Sequence, residues 1–129
     1  VIFRADGAVK NPAIYHTESG EFTKVGYLDN DFIMSSGQYV IINTYTGKKN
    51  AYLLDGVTQA EIENHKDNYG VIDWDTVIEK YGTVINEYLD EDGEFIQLQD
   101  GTNTLTYTAD EGTNYLSVSV YYRISYLGV

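Results

Sequence analysis

The chain has 129 residues, a formal net charge of −12 and no cysteine. The length suits one domain, and the lack of thiols excludes disulfides and thiolate metal sites. So acidic a surface repels phosphate backbones and anionic lipid, and no apolar run reaches the roughly 20 residues that cross a bilayer. We expect a single domain over residues 1–129 that binds neither nucleic acid nor membrane. Because it starts at Val1 without signal-like features, we also expect it to be part of a longer protein.

The first 54 residues predict short strands separated by Gly, Pro and Asp turns. Residues 38–45 are the strongest of these, because they are apolar on both faces, which predicts a central strand covered on both sides. A turn at residues 46–48 leads into a return strand, as in a β-hairpin. The predicted strands of this half are residues 13–17, 21–27, 38–45 and 49–54. Residues 1–4 are interpreted as the end of a strand or of a linker, and residues 32–34 as a short apolar piece.

Residues 58–81 change from strand to helix periodicity and predict a short helical insertion. Thr58 and Glu61 have the spacing of a capping box, in which each side chain satisfies an unpaired amide at a helix start. This first helix should end near Lys66, and Asp73 should cap a second one. Four apolar residues then share one helical stripe. They are Trp74, Val77, Ile78 and Tyr81.

Strand patterns return after residue 82, at residues 84–89, 94–98 and 102–108, and residues 116–127 alternate over their whole length. Their even positions are apolar and their odd positions are mostly polar, which predicts one long strand with a buried face. Many short strands between Gly-containing turns indicate an all-β protein. We expect a two-sheet antiparallel β-sandwich, with the helical insertion near residues 58–81.

Motifs for chemistry are absent or weak. His16 and His65 are interpreted as solvated side chains rather than as a metal pair, and a Ser-His-Asp triad lacks any supporting motif. The acidic pairs Asp29/Asp31 and Asp90/Asp92 could offer oxygens to calcium, but the second is better explained as a turn. We expect no enzyme activity, no catalytic residue, no metal and no cofactor.

Four residues form a candidate interaction surface: Trp74, Tyr81, Tyr121 and Arg123. Trp74 could stack on a sugar, but its helical stripe favours packing on the sheet. Arg123 falls on the wetter side of the last predicted strand, where it could pair with a carboxylate. The 13 tyrosines of the chain suit strands, interfaces and sugar sites alike.

Several short motifs, in order along the chain, resemble those of one family. Gly101 and Asn103 have the spacing of a G-x-N turn, and the chain ends on an R-x-x-Y-L pattern. The segments that carry the resemblance are NPAI (11–14), GEF (20–22), GQYVIINT (37–44), FIQL (95–98), DGTNTL (100–105) and YRISYLGV (122–129). Together they resemble the C-terminal domain of the distal tail proteins of siphophages and of related prophages, except across residues 58–81.

The resemblance implies that the sandwich is of galectin-like or jelly-roll type. It also implies a place in the tail tip or baseplate, with the protein made in the bacterial cytoplasm and assembled into the virion. There it would be a structural scaffold for receptor-binding or tail-associated proteins. The family's ring-forming N-terminal domain, which makes a hexamer, has no counterpart here. The sugar-binding residues of galectins are not found in this sequence, so the resemblance implies architecture rather than lectin activity. A carbohydrate-binding module for host cell-wall glycans is the alternative, suggested by the tyrosines and Trp74 on a sandwich.

Overall fold

The computed structural model describes residues 1–44 and 49–121, which form ten strands and two α-helices. Every strand pairing is antiparallel. The expected all-β, sandwich-like fold with a short helical insertion is confirmed. The strands are β1 (Ile2–Ala5), β2 (Val9–Lys10), β3 (Ala13–His16), β4 (Phe22–Lys24), β5 (Ile33–Met34), β6 (Tyr39–Asn43), β7 (Asn50–Leu54), β8 (Gly82–Val84), β9 (Leu105–Thr108) and β10 (Leu116–Ser119). The helices are α1 (Gln59–Glu63) and α2 (Trp74–Tyr81).

The largest sheet has five strands in the order β10-β1-β6-β7-β8, beside a three-stranded sheet β4-β3-β9 and the short pair β2-β5. Strand β6 lies in the middle of the large sheet, as its apolar sequence predicts. It pairs with β1 through Ile2↔Ile41 and with β7 through Ile41↔Tyr52. The turn expected between β6 and β7 lies outside the described residues.

The two faces of the large sheet belong to two separate hydrophobic clusters, because side chains alternate along each strand. Phe3, Val40 and Ile42 point to the cluster shared with the smaller sheets. Ile2 and Ile41 point the other way, to a second cluster shared with the helices. The five-stranded sheet is therefore covered on both faces, by strands on one side and by the helical insertion on the other.

The helical insertion begins as its sequence predicts. The Thr58 hydroxyl accepts a hydrogen bond from the Glu61 amide at 3.1 Å, and Val57 and Ile62 are both buried against the sheet. Helix α1 ends at Glu63, three residues earlier than expected. Gly82 closes α2 and starts β8 at once, and a Cβ there would lie 2.6 Å from the Ile78 carbonyl oxygen. Neither helix of the described chain is long and apolar enough to cross a membrane.

The sequence predicts one long terminal strand over residues 116–127. Among the described residues of this segment, 116–121, the strand is shorter than predicted. Strand β10 stops at Ser119, and residues 120 and 121 are not in a strand. Its partner β1 has only four residues, and the pairing runs from Ala5↔Leu116 to Ile2↔Ser119, so the ladder ends where β1 begins. The alternation itself is confirmed, since Leu116 is buried and Ser117 is exposed. The rest of the prediction, residues 122–127, lies outside the described residues.

Two other predicted strands are wrong. Residues 94–98 are not a strand, although they remain close to β4: the Glu94 amide donates to the Phe22 carbonyl at 2.6 Å, and Ile96 is buried in the first cluster. Residues 84–89 contain the end of β8 followed by a 3-10 turn over Asn86–Tyr88. In both segments a single buried side chain anchors the backbone, Ile96 in one and Ile85 in the other, without a continuous ladder.

Candidate functional site

A cleft lies between the helical insertion and the end of the large sheet where β1 starts and β6 ends. Its volume is about 410 Å³, within the range typical of ligand pockets. It is lined by Val1, Ile2, Ile41, Ile42, Asn43, Thr44, Asp67, Val71, Ile72, Asp73, Trp74, Asp75, Ile78 and Tyr121. The floor is apolar, the wall carries two aromatic rings, and the rim carries three aspartates.

The loop between the two helices positions this rim. The Asp67 carboxylate accepts the amides of Tyr69 at 2.8 Å and Val71 at 3.0 Å, which folds the loop back on itself. The Asp73 side chain caps α2 by accepting the Thr76 amide at 3.2 Å and the Thr76 hydroxyl at 2.8 Å. Those hydrogen bonds from Thr76 hold the pKa of Asp73 below its ordinary value. The cap fixes the first turn of α2, and with it the indole of Trp74.

Trp74 and Tyr121 meet at the cleft wall. Their ring centroids are 5.5 Å apart with planes inclined at 55°, and Tyr121 is 54% exposed. The Trp74 ring also packs on the second hydrophobic cluster, as its helical stripe predicts. Its indole Nε1 is buried and has no hydrogen-bond partner in the described chain. A buried donor without an acceptor costs about 1–3 kcal/mol, which makes this nitrogen an unsatisfied group beside the cleft.

Every charged side chain around the cleft is acidic among the residues that the structure describes. Val1 also lines the cleft, where its amino group donates to the Ile42 carbonyl at 3.0 Å and burial lowers the pKa of that amino group to about 6. Asp67, Asp73 and Asp75 are exposed around it, and no Lys, Arg or His belongs to its described lining. Asp75 lies in the first turn of α2, where a carboxylate is stabilised by the helix dipole. The arrangement disfavours anionic ligands and favours a ligand that is neutral or cationic.

The four residues of the expected interaction surface are not all together. Trp74 and Tyr121 share the cleft wall, but Tyr81 is not part of its lining. The Tyr81 ring instead lies 5.8 Å from the ring of His65 and 5.3 Å from the Lys80 ammonium. Arg123 lies outside the described residues. The sequence therefore identified two residues of one cleft without showing that they meet.

A second polar site, around His16, was missed by the sequence analysis, and the interpretation of His16 as a solvated side chain is wrong. The residue is 1% exposed. Its Nε2 lies 2.8 Å from the Asn103 Oδ1, and its Nδ1 lies 2.6 Å from the Ser19 hydroxyl. The same Asn103 oxygen accepts the Gln99 amide at 2.9 Å. Because that oxygen is an acceptor, Nε2 is the ring nitrogen that donates a hydrogen bond to it.

The hydrogen-bonded series Ser19, His16 and Asn103 has the order of a nucleophile, a base and an orienting group. Its hydrogen bonds nevertheless serve to hold the fold together. Both ring nitrogens are used within the protein, and the Ser19 oxygen also accepts the Glu21 amide at 3.1 Å. The Asn103 amide group donates to the carbonyl of Gln99 at 2.8 Å. The network ties the turn after β3 to the loop before β9.

Asn11 is a third buried polar residue, and it joins three loops. It is 1% exposed and has a positive φ of 53°. Its Nδ2 donates to Asp31 at 2.9 Å and to Asp110 at 2.8 Å, while its Oδ1 accepts the Phe32 amide at 2.8 Å. The hydrogen bond from Asn11, with the nearby Lys24 ammonium, holds the pKa of Asp110 below its ordinary value. The carboxylates of Asp31 and Asp110 are therefore used to hold these loops together.

Glu21 and Glu94 form a carboxyl pair near this second site. A hydrogen bond from Glu94 lowers the pKa of Glu21, and the same contact with Glu21 raises the pKa of Glu94. The opposite directions are those of two carboxyl groups that share one proton. Both groups face solvent, so water screens the repulsion that remains when both are ionised.

The acidic pairs considered for calcium do not form a metal site within the described residues, where no three His, Asp or Glu side chains are gathered to hold an ion. Asp31 accepts from Asn11 and lies 3.5 Å from the Lys10 ammonium. The Asp90 side chain accepts the Asp92 amide at 2.9 Å, which is the turn that the sequence predicts. The oxygens of Asp31 and Asp90 are therefore used for loop structure.

No protein-family model matches the sequence, and none of the curated proteins or solved structures compared with it is significantly similar to it. The functional argument therefore rests on the residues and their geometry.

Proposed function

We propose that this chain is a structural component of a phage or prophage tail tip, the C-terminal part of a distal tail protein. In this role it is a scaffold that holds receptor-binding or tail-associated proteins in the baseplate. The remaining properties follow from the family resemblance: a galectin-like architecture, a hexamer formed through a separate N-terminal domain, and a location at the end of the virion tail.

The observation that carries the proposal is the use made of the buried polar residues. Asn11 and Asn103 stand in the segments that resemble the family. Asn11 accepts the backbone amide of Phe32 in a distant loop, and Asn103 accepts the amide of Gln99 within its own loop. His16 joins Asn103, and the Thr23 hydroxyl donates to the Glu94 carbonyl. These polar groups form hydrogen bonds that hold the sandwich together, so they are not available for catalysis. This use of buried polar groups suits a scaffold. The resemblance then suggests which scaffold it is.

Immunogold electron microscopy tests the proposal. Antibodies raised against residues 1–129 are applied to phage particles produced from the genome that encodes the chain. Labelling at the distal tip of intact tails is the expected result. Labelling of capsids, or a protein that stays entirely in the particle-free fraction, would remove the proposal.

The second candidate is a carbohydrate-binding module, and the aromatic wall of the cleft favours it. Sugars commonly pack the apolar side of a ring on Trp or Tyr while carboxylates accept their hydroxyl protons. Trp74 and Tyr121 supply such rings, and Asp75 supplies a carboxylate at the rim. Titration calorimetry with neutral cell-wall polysaccharide should give saturable heat that Tyr121→Ala abolishes, with Tyr107→Ala as the exposed control. Absence of binding by the unaltered chain would exclude this candidate.

A further inference from the structure

We propose that the cleft between the helical insertion and the large sheet receives a basic side chain, Lys or Arg, from a neighbouring tail protein. The inference rests on the proposed scaffold function, and it names the chemistry of the partner. Three features of the cleft carry it: its charge, its apolar floor and its aromatic wall.

Charge selects a cation. Three exposed aspartates surround the cleft, and no basic side chain is found among its described lining residues. The amino group of Val1, which belongs to that lining, is mostly neutral at pH 7, because burial lowers its pKa to about 6, and it already donates to the Ile42 carbonyl. The whole chain carries a net charge of −12, which draws basic segments toward it and repels acidic ones. Asp75 is the most available of the three, because Asp67 and Asp73 already accept hydrogen bonds from their own loop and helix.

The floor selects a ligand with an apolar stem. Ile2, Ile41, Ile72 and Ile78 all line the cleft, and Ile2 and Ile41 belong to the core of the sheet. Lys and Arg place three or four methylene groups behind the charge, so the stem can cover isoleucine while the charge stays at the rim. A sugar can pack the apolar side of its ring on one aromatic side chain, but its remaining hydroxyl groups would face the isoleucine floor, which favours the basic side chain over a glycan.

The aromatic wall of the cleft favours a cation and also the peptide that carries it. The rings of Trp74 and Tyr121 attract an ammonium or guanidinium group placed over their faces. The buried Trp74 Nε1 lacks an acceptor in the described chain. A peptide segment that enters the cleft brings carbonyl oxygens, which are the kind of acceptor that this donor lacks. Trp and Arg are also among the residues that dominate protein–protein interfaces.

Trp74 is the only tryptophan of the chain, so its fluorescence and its indole N–H resonance report on the cleft alone. The probes are three capped tripeptides, Gly-Arg-Gly, Gly-Lys-Gly and Gly-citrulline-Gly, because citrulline has the shape of arginine without its charge. We expect saturable changes at Trp74 with the two basic peptides and binding at least about fivefold weaker with the citrulline peptide. Raising the salt concentration should weaken the binding of the basic peptides.

Asp75→Asn should weaken binding of the arginine peptide about threefold, while Asp92→Asn, which removes the same charge from a distant exposed turn, should leave it unchanged. Tyr121→Ala should weaken it further, and a far-ultraviolet circular dichroism spectrum like that of the unaltered chain shows that the variant is folded. Equal binding of the arginine and citrulline peptides, or no binding by either, overturns the inference. Binding of neutral cell-wall oligosaccharide in place of the basic peptides also overturns it, in favour of the carbohydrate candidate. Gold labelling of tail tips decides the scaffold function separately, whatever the peptides do.

Discussion

Asn11 offers the sharpest test of how this fold is held together. Its side chain is buried among three loops and makes three hydrogen bonds, while its backbone has a positive φ. The variant Asn11→Ala removes all three bonds and keeps a Cβ in the left-handed region. We expect it to lower the free energy of unfolding by about 4 kcal/mol.

The magnitude follows from the surroundings of each bond. The Phe32 amide bonds a fully buried Asn11 oxygen, so losing this acceptor leaves an unpaired donor and costs about 2 kcal/mol. Asp31 and Asp110 are partly exposed and can be rehydrated, so those two bonds contribute about 0.5 kcal/mol each. Alanine in the left-handed region adds about 1 kcal/mol that asparagine tolerates better.

Two further substitutions separate these contributions. Asn11→Gly removes the side chain but accepts the positive φ, so it should be about 1 kcal/mol less destabilising than Asn11→Ala. Asn114→Ala, at an exposed position, should stay within about 0.5 kcal/mol of the unaltered chain. Urea unfolding followed by the fluorescence of Trp74 measures all three. If Asn11→Ala costs less than about 1 kcal/mol, the reasoning about this network fails.

Three other perturbations have definite expected results. Gly26→Ala should unfold the protein or destabilise it by more than about 3 kcal/mol, because a Cβ there would overlap the Asn11 side chain; Gly37→Ala, also at positive φ but in open space, should cost only about 1 kcal/mol in the same urea assay. Glu94 has a pKa above its ordinary value of 4.5. Its contribution to the stability of the folded state is therefore fully present below pH 4.5 and is lost as the pH rises through the pKa of the folded state. Glu94→Gln should therefore raise the urea midpoint relative to the unaltered chain at pH 7 but not at pH 4. The control Glu91→Gln should shift the urea midpoint by the same amount at pH 7 and at pH 4. Asn103→Ala removes the acceptor that lies 2.8 Å from the buried Nε2 of His16 and leaves only the Glu18 carboxylate, 3.6 Å away, so it should cost about 2 kcal/mol. Hydrogen exchange at the amides of the adjoining turn should become faster, and slow exchange there would contradict the structural role of Asn103.

Short-range sequence patterns predict much of the fold. Val40 and Ile42 face one cluster while Ile41 faces the other, so the continuous apolar run of β6 predicts a central strand correctly. The cap at Thr58 and the buried pair Val57 and Ile62 are likewise short-range features, since a helix start is decided within one turn. Strand lengths depend on the partner, and β10 is shorter than its alternation suggests because β1 offers only four residues.

The polar networks could not be predicted, because their partners are far apart in the sequence. His16 and Asn103 are separated by 87 residues, and Asn11 and Asp110 by 99. Nothing near His16 distinguishes a buried imidazole from a solvated one, since its burial depends on β9 lying alongside β3. The cleft has the same origin. Trp74 and Tyr121 come from the helical insertion and from the segment after β10, which only the folded sheet brings together.

The central claim is that this domain is a scaffold whose cleft beside Trp74 holds a neighbouring tail protein. Photo-cross-linking in assembled particles tests it most directly, with p-benzoylphenylalanine in place of Tyr121, and in place of Tyr107, an exposed residue of β9, as the control. Mass spectrometry should find the Tyr121 position joined to a Lys- or Arg-bearing segment of another tail protein, and the Tyr107 position should not give that adduct. Particles that contain the substituted chain but yield no adduct specific to position 121 would contradict the claim.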